Sequence, residues 1–199
     1  MIYRELKPSE YDLLKDFLYE AIYIPEGVDP PDRDIVKQPE LALYYEDFGS
    51  GKADHCIVAE DAGKVIGAVW TRIMNDYGHV DDDTPSFAIS LLKDYRSMGI
   101  GTELMKRMLL HLKECGFEKA SLAVQKANYA VRMYKKVGFK VIDENAEEYI
   151  MICDLQEKQA PDRVNAETMT ADQIREKIQR GLDDADAGRV TDLSQIARK

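Results

Sequence analysis

The stretch Leu91-Leu-Lys-Asp-Tyr-Arg96-Ser-Met-Gly99-Ile-Gly101-Thr-Glu103 decides how this chain folds. The apolar run from Phe87 to Leu92 predicts a buried strand. Behind the glycines, Leu104, Met105, Met108, Leu109 and Leu112 fall at helical spacing, which predicts a helix over 102–112. A strand therefore feeds a glycine turn, and the turn feeds a helix. Glycines let backbone approach a ligand with no Cβ in the way. The first N–H groups of a helix lack internal partners, and the helix dipole adds positive potential there. Phosphate suits such a site, and Arg96 supplies a fixed cation beside it. The pattern predicts that a phosphate-bearing cofactor binds here.

Before this stretch, Ile2 to Leu6 alternates like a short strand, and Leu13, Leu14, Phe17, Leu18, Ala21 and Ile22 outline an amphipathic helix. A second helix is expected over Pro39 to Phe48, ended by Gly49-Ser50-Gly51. Cys56 to Ala59 and Val65 to Trp70 read as a hairpin around Asp61-Ala62-Gly63-Lys64, which has the right turn chemistry. After it, Ala120 to Val124 is a buried strand, Asn128 is an N-cap, and a helix runs through Val131 and Tyr134 to Gly138. Phe139 to Ile142 and Tyr149 to Ile152 supply two last strands. The tail changes character: 156–166 reads as a linker. Thr170-Ala-Asp-Gln173 then forms a capping box ahead of the narrow stripe Ile174, Ile178, Leu182, Ala185. Such a stripe needs a partner surface, on its own domain or on a second subunit in a homodimer.

The bulk numbers limit the function classes. A chain of 199 residues, 45% hydrophobic and 32% charged, suits one soluble domain with an appendage. No apolar run is long enough to cross a membrane, no signal-peptide pattern opens the chain, and cytoplasm is the expected compartment. The net charge of −10 argues against nucleic acid as partner and mildly favours a cationic substrate such as an amine. Cys56, Cys115 and Cys153 are odd in number and far apart, which argues against both a disulfide framework and a zinc site; no metal is expected. His55 and His111 read as ordinary surface or edge residues.

Three features now stand in order: Arg96-x-x-Gly99-x-Gly101 after a strand, Asn128 to Tyr134 some thirty residues on, and Gly138-Phe139 leading into a strand. In this spacing the chain resembles the GNAT superfamily of acyl-CoA-dependent N-acyltransferases over about Met1 to Leu155. It is similar in particular to a bacterial subgroup of small members that share Phe17 to Gly27, Val80 to Ile89 and Leu122 to Asn128. The resemblance implies an α/β fold: a mixed central sheet with helices on both faces and a splay between strands four and five. It implies a domain over 1–155 with 156–199 as linker and helical extension.

The resemblance also implies acetyl-CoA as cofactor. Its pantetheine arm would pair with Leu91 and Leu92, and its pyrophosphate would rest on the N–H groups of Arg96, Ser97, Met98, Gly99, Ile100, Gly101 and Thr102. Asn128 would contact the arm. No Lys follows the second glycine, so a P-loop is not indicated. The expected activity is direct transfer of acetyl to a primary amine on a small molecule or a protein. Tyr134 would be the general acid near sulfur, since a phenol can protonate a thiolate at neutral pH; by periodicity alone it is a core aromatic. The backbone N–H of Leu92 is the expected oxyanion donor. The base is the weak point. Relatives carry a carboxylate after the position of Pro85, where this chain has Ser86. Asp83, Asp82 and His79 remain candidates against a plain acidic loop, as does a base acting through water. Glu26 and Tyr23 would shape the acceptor end. The alternative function is a catalytically silent acyl-CoA-binding sensor of the same fold.

Overall fold

A computed structural model describes residues 1–156; the expectations for the tail, including the linker, the capping box and a tail-mediated dimer, lie outside the described residues. The strands are β1 (Ile2–Glu5), β2 (His55–Asp61), β3 (Lys64–Arg72), β4 (Ser86–Leu91), β5 (Lys119–Gln125), β6 (Lys140–Glu144) and β7 (Glu148–Asp154). The helices are α1 (Leu13–Ala21), α2 (Pro39–Ala42), α3 (Ile100–Glu114) and α4 (Ala130–Lys136). The strands form one sheet in the order β1-β2-β3-β4-β5-β7-β6.

Alternation along the strands gives the sheet two apolar faces. Ile57, Val69, Phe87, Leu122 and Met151 pack under α3 and α4, together with Leu104, Met105, Met108 and Leu112. Cys56, Val58, Ala68 and Trp70 point the other way, onto Leu14, Phe17 and Leu18 of α1. The β2–β3 hairpin turns through Ala62 at φ 47° and Gly63 at φ 80°, two successive left-handed residues as a type I′ turn requires. Both helices of the first face end alike. Phe117 N–H donates to Leu112 O and Gly116 N–H to Lys113 O after α3; Phe139 N–H donates to Tyr134 O and Gly138 N–H to Lys135 O after α4. These are Schellman ends, with Gly116 and Gly138 in the left-handed position.

The second expected helix is much shorter than 39–48, stopping at Ala42. Side chains of β3 take the carbonyls it would need. Trp70 Nε1 donates to Tyr44 O at 3.0 Å, and Arg72 Nη1 donates to Leu43 O and Glu46 O. Residues 43–48 wrap as turns around these donors, and Trp70, fully buried beneath them, belongs to the core.

One join in the sheet differs from the others. Every neighbouring pair is antiparallel except β4 and β5, which run parallel and meet at a single register position, Ser86 opposite Ser121. Ser121 N–H donates to Pro85 O there. Beyond it the two strands part, and the expected splay is present.

Candidate functional site

A cleft of about 1050 Å3 opens from this splay. One wall is the end of β4 with Ile89, Ser90 and Leu91; a second is the turn into α3; a third is α4 with Met133 and Tyr134; a fourth is the segment from Tyr19 to Val28. Tyr23 OH reaches Ala127 O at 3.4 Å across the opening, linking the segment after α1 to the loop before α4.

The turn into α3 is built to present donors. Arg96 N–H closes a 3-10 turn on Lys93 O, and the chain then passes through Ser97 at φ 63° and Gly99 at φ 82° before α3 begins. The first backbone bond of the helix runs from Glu103 N–H to Gly99 O. No described group accepts from the N–H groups of Ser97, Met98, Gly99, Ile100, Gly101 or Thr102. This run of unpaired donors at the positive end of a helix is an anion site. Ser97, Gly99, Gly101 and Thr102 line the cleft, whereas the Met98 side chain is 66% exposed to solvent and Ile100 is buried in the core. Those last two can offer backbone only.

Arg96 does more than lend charge. Its Nε donates to Leu91 O at 2.9 Å, and its Nη2 donates to Glu20 O at 3.1 Å and to Glu20 Oε2 at 2.9 Å. The guanidinium fork thus ties the end of β4 to the end of α1, holding two cleft walls together. Sequence reasoning missed Glu20; its signal was one acid at the polar edge of an amphipathic helix, which has no distinguishing mark.

Strand parity corrects the expected oxyanion donor. Leu92 N–H donates to Ile66 O at 2.9 Å, on the β3 side, and is not available to a ligand. Backbone groups alternate sides along an antiparallel strand. With Leu92 turned toward β3 and Pro85 O turned toward β5, the N–H groups of Ile89 and Leu91 face the splay. Leu91 also lines the cleft, and Leu92 does not.

Tyr134 stands where the sequence suggested, buried at the cleft wall, with its ring edge-on to Phe139 at 6.0 Å. Burial pushes its phenol well above the usual range, so it stays protonated at neutral pH. No described group is hydrogen-bonded to its hydroxyl, which leaves it available. Asn128 also lines the cleft; its Oδ1 accepts from Ala130 N–H at 2.9 Å and so caps α4.

The acidic candidates are elsewhere. Asp83 is 91% exposed and forms an ion pair with Lys52 at 2.8 Å, so the structure does not bring it to the cleft. His79 and Asp82 pair loosely with each other at 3.8 Å. The buried carboxylate of this region is Asp76, which the sequence did not single out. Its Oδ2 accepts from Tyr44 OH and from Ser86 Oγ, each at 2.8 Å, and burial raises its pKa despite those bonds. Glu26 lines the cleft on the acceptor side.

Comparison with known proteins agrees with this geometry. A mycothiol acetyltransferase of Propionibacterium freudenreichii is 29% identical over 87 residues, 43% of this chain and 27% of that protein. An N-alpha-acetyltransferase of Sulfurisphaera tokodaii is 33% identical over 94 residues, 43% of this chain and 56% of that protein. The chain thus spans between about a quarter and somewhat over half the length of these curated relatives. The crystal structure of the PaiA N-acetyltransferase from Thermoplasma acidophilum in complex with coenzyme A shares the fold, with a TM-score of 0.55 and 19% identity over 77% of this chain and 98% of that one. The model of the acetyltransferase (GNAT) family matches residues 17–139, from the first core helix through the Gly138-Phe139 turn. That match takes in more than half of the sequence and every wall of the cleft, and the chain belongs to the GNAT acetyltransferase family.

Proposed function

We propose that the chain moves the acetyl group of acetyl-CoA to a primary amine by direct transfer in a ternary complex. The observation that carries this reading is the run of N–H donors from Ser97 to Thr102 at the mouth of the splayed cleft. A diphosphate supplies the acceptors those donors lack. In this reading Leu91, Arg96, Ser97, Gly99, Gly101, Thr102 and Asn128 bind the cofactor, and Met98 and Ile100 take part through backbone N–H groups. The coenzyme A held by the Thermoplasma protein, and the N-alpha-acetyltransferase name of the Sulfurisphaera relative, support the cofactor and a nitrogen acceptor.

The chain's own residues then have distinct tasks. Leu91 N–H holds an amide of the pantetheine arm, and Ile89 N–H, deeper in the gap, polarises the thioester carbonyl as it becomes an oxyanion. The amine lone pair attacks the carbonyl carbon; the C–N bond forms and the C–S bond breaks. Tyr134 donates a hydrogen bond to the departing sulfur and passes its proton as thiolate charge develops, and a proton lost by the acylated nitrogen returns to the phenolate through water. Burial favours the protonated phenol, so the donor is in place before each turnover. Glu26 and the acidic surface attract a cationic amine, whose protons leave through water in the open cleft.

The test is incubation with acetyl-CoA and a panel of small amines and peptides with free N-termini, following release of free thiol. Amine-dependent release abolished by Tyr134→Phe supports the enzyme. A second reading, an acyl-CoA-binding sensor, is favoured by one observation: the acids around the start of β4 are engaged with Lys52, His79, Tyr44 and Ser86. Tight CoA binding without thiol release for any acceptor would select it.

A further inference from the structure

At the end of α3 opposite the anion site, two stretches far apart in sequence bring three ligand-type side chains together. His111 and Cys115 are one turn apart in the last turn and cap of α3, on one side of the helix, and His55 opens β2. His111 Nε2 lies 3.0 Å from His55 Nδ1, and Cys115 Sγ lies 3.7 Å from His111 Nε2. All three atoms fall within 4.8 Å of one another. We propose that His55 Nδ1, His111 Nε2 and Cys115 Sγ form a binding site for a tetrahedral transition-metal ion of the zinc type, with one coordination position open to solvent.

The distances fit that occupant. Zinc bonds of about 2.0–2.1 Å to imidazole nitrogen and 2.3 Å to sulfur give ligand-to-ligand edges of about 3.3–3.6 Å in a tetrahedron. The His111–Cys115 edge of 3.7 Å is already near this length and the nitrogen edge of 3.0 Å needs to widen by a few tenths of an ångström, while the His55–Cys115 edge, within 4.8 Å, closes by rotation of the exposed Cys115 side chain. Two imidazoles and one thiolate suit a borderline-soft divalent ion better than calcium or magnesium, which take oxygen ligands.

The surroundings favour a cation. The C-terminal end of α3 carries the negative pole of the helix dipole. A groove of about 220 Å3 opens beside His111, and it carries the carboxylates of Glu5 and Glu114 alongside the cations of Arg4 and Arg107. Cys115 is exposed and free, so an ion can enter and keep a water. The two ring nitrogens face each other, so at most one N–H lies between them, and among the described residues no hydrogen bond of good geometry reaches the buried His55 Nε2. With three protein ligands and one open position, affinity is weaker than in closed four-ligand structural zinc sites.

The cysteine spacing argued against zinc because it tested for paired cysteines. Here one cysteine joins two histidines that only the packing of α3 on β2 brings within reach. Cys56 and Cys153 are buried and cannot compete for the ion, and residues 157–199 contain neither His nor Cys. The α3 helix of 15 residues is about 22 Å long at 1.5 Å per residue, so the site is separate from the acyl-CoA cleft.

The experiment titrates the full-length chain with Co2+ as a spectroscopic stand-in, then displaces it with Zn2+. The expected result is one equivalent bound, tetrahedral visible bands and a thiolate-to-cobalt charge-transfer band. Cys115→Ser removes the charge-transfer band, and His111→Ala weakens binding at least tenfold. Both changes are at surface-accessible positions, and unchanged CoA binding serves as the check that the variants are folded. No saturable uptake, or uptake equal in the parent and Cys115→Ser with no charge-transfer band, overturns the assignment.

Discussion

Gly101→Ala separates the cofactor from the fold. Gly101 is the second residue of α3 and is buried. A Cβ built there meets Met133 Sδ at 3.3 Å, Leu91 Cδ1 at 3.4 Å and Ile89 Cδ1 at 3.9 Å, three side chains that line the cleft. The fold tolerates it. The backbone is already helical, alanine gains up to about 1 kcal/mol over glycine in a helix, and the flexible end of Met133 needs to move only slightly. The expected stability change lies between zero and about 1 kcal/mol in favour of the variant, or up to about 4 °C in Tm. The ligand does not tolerate it. The methyl stands between Leu91 and Met133, where the pantetheine arm must pass, and crowds one of the unpaired N–H donors. Loss of one hydrogen bond to a charged group costs about 1.5–3 kcal/mol, roughly a tenfold to hundredfold rise in Kd for CoA.

Gly116→Ala, at the end of α3 away from the cleft, is the control with the opposite signature. Its φ of 89° is left-handed, so alanine is strained by about 1–2 kcal/mol, yet a Cβ there meets nothing within 4 Å. It should lower Tm by several degrees and leave CoA affinity within about threefold once the protein is folded. Calorimetric titration with CoA and thermal melts of both variants check the pair. Gly101→Ala binding CoA as tightly as the parent would refute the proposed cofactor path. Equal Tm losses in the two variants would show that the Gly101 effect is structural.

Three further outcomes follow from the same geometry. Tyr134→Phe should lower kcat by about 10²–10⁴ with CoA affinity and Tm unchanged, because it removes a hydroxyl with no described partner; steady-state kinetics and titration read the two separately. Arg96→Lys replaces a fork that joins Leu91 O to Glu20 with a point charge, so Tm should fall by about 2–4 °C, for about 1 kcal/mol lost, and KM for acetyl-CoA should rise. Asp76 has a raised pKa, so the folded protein holds a proton there above the ordinary aspartate value of 3.8, where the unfolded chain has released it. Its contribution is therefore present at low pH and lost as pH rises through the raised value. Asp76→Asn should flatten that fall, giving a stability gain over the parent that grows with pH in urea titrations; an identical pH profile in both proteins would refute it.

The residues that made the fold legible in sequence share one property: their physics is local. Gly99 and Gly116 mark turns because their φ values admit little else, and Leu104 to Leu112 mark a helix face by spacing alone. The 39–48 segment failed as a helix because Trp70 and Arg72, remote in sequence, claim its carbonyls. The site divided the same way. The donor run from Ser97 to Thr102 was readable because a glycine turn before a helix needs no tertiary information. The parity of Leu91 and Leu92 was not, since it depends on how β4 pairs with β3, and one residue of register exchanges the bonded edge for the free one. Glu20, Asp76 and the His55–His111–Cys115 cluster were invisible for a further reason: each acquires meaning from a partner 10 or more residues away.

The anion site and the cation site occupy opposite poles of α3, and the same peptide dipoles favour both. That shared origin does not couple them strongly. Across about 20 Å of largely aqueous surroundings, two unit charges interact by about 0.2 kcal/mol, and physiological salt, with a Debye length of about 8 Å, reduces this further. Larger coupling would require α3 to move as a body. Its buried side chains Leu104, Met105, Met108 and Leu112 are locked against the sheet along the whole length, with both ends fixed by the Gly99 turn and the Schellman bonds at Gly116. A helix held in this way transmits little displacement. The ion would therefore act as a clamp between α3 and β2, adding to fold stability by mass action, while the cleft keeps its own affinity for acyl-CoA.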